Sequence, residues 1–301
     1  MKRKIIQLAG KTAVISIPSD WVKKYNLRKG QELDISENGR ELIVRTDNFV
    51  AEKEIKINIC GLNEQSVKWA LSALHKEGYD TIILIYENPK IIYTIQEMVK
   101  DVMMGFVVME QTSKRCVLRS ISQDLETEFD STLRRAFLVT RSMAQGLYSN
   151  VNNYDLLKDY LESEKINNQL TNFCERILNK HGHKEQDKTS FYYIIVWNLE
   201  KVCDEYKNLC QNIYENKLKV NQETLDLIKK VNDLFEEFYV CFYRFSLDKI
   251  EKLNKNTEEV LHKLNNLTIT QENANIICSL KIIVLRITDF NTSTIAINSQ
   301  F

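Results

Sequence analysis

From Thr12 to Ile17 the side chains alternate, with Ala13, Ile15 and Ile17 on one face and Thr12, Val14 and Ser16 on the other. That is the period of a half-buried strand, and Pro18, which cannot donate to a ladder, closes it. Ser19 is placed to cap a helix of about two turns that carries Asp20 in its first turn and Trp21, Val22 and Tyr25 on one side. Arg28, Lys29 and Gly30 end that helix. Two more strands are expected around Leu33 to Ile35 and Leu42 to Val44, joined at Glu37 to Arg40, where Asn38-Gly39 is a hairpin signal. A unit of this size has too little core to stand alone, so a dimer with interleaved strands is expected.

The rhythm changes after residue 50. Ile55, Ile57 and Ile59 alternate as a strand, and Asn63 is placed to cap a helix bearing Val67, Ala70, Leu71 and Leu74 at helical spacing. Gly78 stops that helix. Thr81 to Tyr86 is an almost unbroken apolar run, as in a strand covered on both faces. A second helix from about Ile91 to Met104 and strands around Phe106 to Glu110 and Cys116 to Ile121 complete a small α/β domain.

From residue 122 onward there is no proline, and only Gly146 and Gly182 interrupt the pattern. Six helices are predicted, at about 122–148, 152–180, 188–215, 222–246, 247–265 and 270–298, and their grouping in threes suggests a duplicated unit over about 122–215 and 220–301. The chain is therefore read as multidomain and mainly α. It has a small β-rich head at 1–48, an α/β domain at 49–121 and an all-α body at 122–301.

Composition adds an asymmetry. Among 301 residues the net charge is zero, yet residues 1–30 hold Lys2, Arg3, Lys4, Lys11, Lys23, Lys24, Arg28 and Lys29 against the single acid Asp20. A basic head on an acidic remainder points to a polyanionic partner, and doubling it in a dimer suits phosphate contacts on DNA. Seven widely spaced cysteines without a CxxC pair, and no N-terminal apolar leader, point to reduced thiols in a cytoplasmic protein. The longest apolar runs are far short of the roughly 20 residues of a membrane span.

Candidate chemistry is sparse. No phosphate-binding glycine loop, nucleophile elbow or zinc-protease motif occurs, and with four histidines no general base stands out, so the chain is read as a non-enzyme. His181-Gly182-His183 is a poor zinc site and reads as a polar loop. Within LEKVCDEYKNL, residues 199–209, Glu200, Asp204 and Asn208 fall at i, i+4 and i+8, one helical face of oxygen donors suited to a hard cation or to a solvated stripe.

Two resemblances organise these observations. The segment KIIQLAGKTAVISIPSDWVKKYNLRKGQELDI resembles the AbrB/SpoVT-type swapped-hairpin DNA-binding domain, in the form found in archaeal proteins, through Pro18, the short helix and Leu27, Gly30, Glu32, Leu33 and Ile35. The resemblance implies a homodimer and DNA contacts from Arg3 or Lys4, Lys11, Lys23 and Lys24. The helical region resembles PhoU, the phosphate-uptake regulator, with Leu199, Glu200, Lys201, Val202, Cys203, Asp204, Asn208 and Leu209 on its metal motif. Glu164 falls where that family has an acid, Asn167 stands at the position of another, and Asp289 fits in the second repeat beside Leu285 and Ser293, which depart from it. The combination is similar to archaeal AbrB–PhoU fusions. It implies a transcriptional regulator of phosphate uptake, a divalent or ferric metal ion on the body, and a phosphate ABC transporter ATPase as a partner. The alternative is an adaptor that contacts the transporter and uses the head only to dimerise. A further resemblance, to antitoxins of the same fold, is at odds with the large helical body.

Overall fold

The computed structural model describes residues 2–8, 10–38, 41–46, 52–121 and 128–299. The chain divides into two compact units, Met1–Glu52 and Lys53–Phe301.

The first unit contains two separate antiparallel ladders. β1 (Ile6–Leu8) pairs with β2 (Thr12–Val14), with Ile6 opposite Val14. β3 (Leu33–Asn38) pairs with β4 (Glu41–Thr46), with Leu33 opposite Thr46. The predicted hairpin residues Gly39 and Arg40 lie outside the described residues, although Asn38 faces Glu41 across the ladder. β2 stops at Val14, three residues short of the predicted end, because Ile6 opposite Val14 begins β1 and nothing pairs with Ile15 to Ile17 within the ladder. Between the ladders runs α1 (Ser19–Lys24). Pro18, and not Ser19, occupies its N-cap, with no side-chain cap bond. The helix also ends before Arg28, because Asn26 turns to φ 50° and the Leu27 amide closes back on the Val22 carbonyl at 3.0 Å.

Among the residues of this unit whose side chains are described, none is buried. Ile5, Ile35 and Leu42 are 73, 64 and 61% exposed. Isolated two-stranded ladders are marginal in water, and apolar side chains left open to this degree call for a covering surface.

The second unit opens with β5 (Glu54–Asn58), α2 (Glu64–Lys76), β6 (Thr81–Ile85), α3 (Ile91–Asp101), β7 (Phe106–Gln111) and β8 (Arg115–Ser120). The strands form one mixed sheet in the order β5-β6-β8-β7, with β5 and β6 parallel and the other pairs antiparallel. Asn63 caps α2 by accepting the Ser66 amide at 2.8 Å, and Gly78 at φ 89° ends the excursion that follows it. One face of the sheet is filled. Ile82, Leu84, Cys116 and Leu118 pack there with Val67 and Leu71 of α2 and Ile95 and Met98 of α3. The other face departs from the expectation of a strand covered on both sides. Ile83, Ile85 and Val117 stand outside that core and remain partly exposed.

The helical body comprises α4 (Phe129–Ser149), α5 (Tyr154–His181), α6 (Thr189–Asn216), α7 (Gln222–Tyr243), α8 (Leu247–Asn266) and α9 (Ala274–Ile297), with a 3₁₀ turn at Gln186–Lys188. The predicted start of the first helix at 122 lies outside the described residues. Asn153, Asn221 and Ser246 accept the N–H two to three residues into the helices they precede, so the Asn-rich breaks of the sequence act as caps. α4, α5 and α6 pack on one another, as do α7, α8 and α9, and α6 against α9 and α4 against α7 join the two sets. One apolar core runs through both, with Phe137 ringed by Phe235, Phe238 and Phe242, and Phe238 stacked on Phe290 at 4.2 Å. Tyr206 donates to Asn232 at 2.9 Å and Asn232 to the Ala144 carbonyl at 2.7 Å, fixing the register of the join.

Candidate functional site

All eight cations of residues 1–30 are exposed, and none sits in an ion pair among the described residues. Lys11 opens β2 beside the turn at Gly10, whose φ of 72° suits glycine. Lys23 and Lys24 form the last turn of α1, which its Trp21–Tyr25 ring contact of 5.3 Å braces, and Lys24 lies over the Tyr25 ring. Arg28 and Lys29 follow on the turn before β3. Lys2, Arg3 and Lys4 precede β1 instead of lying within a strand. Unpaired exposed cations of this kind supply phosphate contacts, which position a protein on a duplex without reading its bases.

The acids of the body occupy a different electrostatic setting. Glu200, Asp204 and Asn208 do share one side of α6, as their spacing predicts. Lysines stand among them. Lys201 reaches Asp204 at 3.0 Å and Glu200 at 3.5 Å, and Lys207 reaches Glu164 at 3.1 Å and Asp204 at 3.9 Å. Burial acts to lower the Lys201 pKa, but the Glu200 and Asp204 carboxylates outweigh it and hold it above its ordinary value. Asp289 of α9 pairs with Arg286 at 3.2 Å. Asp204, Asn208, Lys201 and Arg286 line a cleft of about 170 Å3 between α6 and α9. Asn167 points away from this face and donates to Ala136 and Thr140 in the core.

A hard cation takes several converging oxygens and no ammonium neighbours. Among the described residues no three His, Cys, Asp or Glu side chains gather as such a site, and the lysines already neutralise the acids. This arrangement does not fit a metal ion.

His181-Gly182-His183 differs from a simple polar loop. Gly182, at φ 75°, ends α5 and sends His183 into the protein. There the ring stacks on Tyr192 at 4.0 Å, meets Phe129 edge-on and accepts the Glu185 amide at its Nδ1. Burial lowers its pKa. Its role is packing.

Sequence reasoning missed a charged seam between the α/β domain and α5. Arg176 is fully buried and donates to the His75 and Tyr79 carbonyls and, at 2.6 Å, to the Asp80 carboxylate. Lys180 reaches the same carboxylate at 2.8 Å. One turn of helix away, Lys76 of α2 pairs with buried Glu175 at 2.6 Å and faces Glu200 of α6 at 3.8 Å. Burial raises Glu175 above the usual carboxylate range, with Lys76 opposing that shift. The only hint in the sequence was the apolar company of these charges within CERILNK, because their partners lie about 100 residues away.

None of the seven cysteines is disulfide-bonded, and five are buried. Among the described residues no helix is long and apolar enough to cross a membrane. A family model for MazE, a bacterial antitoxin involved in antidote-toxin recognition, matches residues 6–48. No curated protein and no solved structure matches the chain. The head is thus similar to the MazE/AbrB-like swapped-hairpin domains, a type associated with dimerisation and DNA binding.

Proposed function

We propose that the chain is a DNA-binding transcriptional regulator linked to phosphate uptake, working as a homodimer through its N-terminal unit. The observation that carries this reading is the coincidence, within residues 6–48, of a MazE-type match, exposed apolar strands that need a partner, and cations without ion pairs. Dimerisation covers the apolar side chains and doubles the cationic surface, which strengthens phosphate contact and steers association with a polyanion.

The link to phosphate rests on the PhoU-like motif around Glu200 and Asp204 and on the helical triplets that carry it. In this reading the body senses a transporter ATPase or another protein partner. The lysines among its acids speak against a metal effector. The charged seam at Arg176, Asp80 and Lys180 fastens the α/β domain to α5, so a partner that shifts α5 also shifts the domain joined to the head by residues 47–53. Regulation then requires that the partner bind one arrangement of the paired heads better than another. The antitoxin role of the matched family is not carried over, because the match ends at residue 48 and leaves the second compact unit without a part in it.

A second reading has its own support. Exposed Ile5, Ile35 and Leu42 account for dimerisation whether or not DNA is bound, so an adaptor using the head only to pair is the rival. Retention of genomic promoter fragments by the purified chain separates the two. Selective retention of a few fragments, phosphate-transport promoters among them, is the expected result. A folded dimer that retains none would leave the adaptor.

A further inference from the structure

The sheet of the second unit has one finished face and one unfinished face. On the unfinished side Ile83 and Ile85 of β6 lie beside Val117 of β8, while Val107 of β7 faces Arg119 two residues further along β8, and the four apolar side chains are partly exposed and outside the domain core. α2 and α3 fill the opposite face, and α5 of the body packs on those two helices, so the body lies on the far side from these residues. A strand residue such as Ile83, flanked on both sides by paired strands, is shielded only by its neighbours in the plane. Side chains of this type at the centre of a sheet normally meet a second layer about 10 Å away.

We propose that this face is an interface with a second copy of the same chain, the two sheets packing against each other within the dimer that the head forms. The proposal rests on the head being dimeric. Two observations select this occupant. The surrounding positions carry both signs, with Lys56 on β5 opposite Ile83, Arg119 on β8 opposite Val107, and the Glu110–Arg115 pair at 2.5 Å on β7 and β8. A two-fold interface must be self-complementary, and an apolar centre inside a rim of mixed charge meets that condition, whereas a nucleic acid would require an unbroken positive surface. Seven residues, 47–53, separate β4 from β5, and a stretch of that length spans at most about 25 Å. Once two heads pair, the two sheets are therefore held together at an effective concentration on the order of millimolar, where even a modest patch associates.

The interface also has a consequence for the proposed regulator. Two sheets joined face to face would hold the connections to the heads at a fixed separation, which makes the spacing of the heads depend on how the two copies of the second unit sit.

The test is sedimentation equilibrium of the full-length chain as the native protein, as Val117→Lys, as Ile83→Thr and as the head variant Ile35→Asp. Helical circular dichroism and the urea unfolding midpoint serve as folding controls. Ile83→Thr keeps β-branching on a half-exposed strand, so it carries the test if the lysine variant fails to fold. The proposal predicts that the sheet variants raise the dimer dissociation constant at least 10-fold with the fold intact. Sheet variants that dimerise like the native chain, while Ile35→Asp dissociates it, overturn the proposal and leave the dimeric head standing. Dissociation by the sheet variants but not by Ile35→Asp overturns the proposal as stated, because the pairing of the sheets is argued from the pairing of the heads. A native chain that is monomeric throughout overturns both.

Discussion

The head and the remainder of the chain are made of similar strands and helices, yet only one of them has an interior. The first unit has no buried residue among those described, while the second closes one core around its sheet and another through six helices. Charges follow the same division. The cations of residues 1–30 face solvent without ion pairs among the described residues, whereas in the second unit Arg176, Asp80, Lys76 and Glu175 are drawn inside and matched. A surface left unsatisfied in both its apolar and its charged groups is one prepared for partners, the first kind for another protein chain and the second for a polyanion.

The contrast breaks most sharply at Arg176. Arg176→Met leaves Asp80 with the Lys180 ammonium and the Lys53 amide but without its guanidinium, and strips the Tyr79 carbonyl of the Arg176 donor; removing one member of a buried pair costs about 3–5 kcal/mol. Urea unfolding should show that loss. A change below about 0.5 kcal/mol would mean that the seam does not fasten the α/β domain.

Acid should weaken the same region next. His75 is buried, with an edge-on contact to Phe106, and burial followed by the nearby Arg176 charge lowers its pKa from 6.5 to about 3. The folded state holds this ring neutral while the unfolded chain protonates it near 6.5. Its contribution is therefore fully present above pH 6.5 and is lost progressively as pH falls toward 3, at up to about 1.4 kcal/mol per pH unit. His75→Gln should flatten the stability profile between pH 6.5 and 5, measured by denaturant titration at each pH. An unchanged profile would move the acid sensitivity to other groups.

The head should respond to a change that the second unit would not notice. Ile35→Asp places a charge on an already exposed strand position, so the unfolding of residues 53–301 should shift by less than about 0.5 kcal/mol. Dimer dissociation should rise about 10-fold, some 1.4 kcal/mol, because the aspartate is desolvated only when two heads pair. Equal sensitivity of both units to this substitution would erase the distinction between them.

Most elements were legible because their signals are local. Asn63, Asn221 and Asn153 announced helix starts, Gly78 an end, and the apolar spacing of α2 its inward face. The head's strands were found but drawn too long, since the end of β2 depends on where β1 stops and not on the alternation through Ile17. The run from Thr81 to Tyr86 shows that a strand is apolar on both sides and says nothing of whether both sides are covered. The α6 acids were legible as a face. Their lysine partners were visible in the sequence too, but only the fold shows Lys207 spanning from α6 to Glu164 on α5. The seam at Arg176 joins residues 96 positions apart, beyond the reach of any local pattern.

The most direct test concerns the head on DNA. Fluorescence anisotropy of a labelled promoter fragment, titrated with the full-length chain from about 50 to 200 mM salt, gives the dependence of affinity on salt. If Arg3 or Lys4, Lys11, Lys23 and Lys24 of two heads each meet a phosphate, the logarithmic slope should be about −7 at about 0.9 per contact. Lys11→Ala/Lys23→Ala/Lys24→Ala should then bring it to about −2 with the fold unchanged. A slope near zero for the native chain, or no binding at about 50 mM salt from a folded dimer, would contradict the account of the head as a DNA-binding surface.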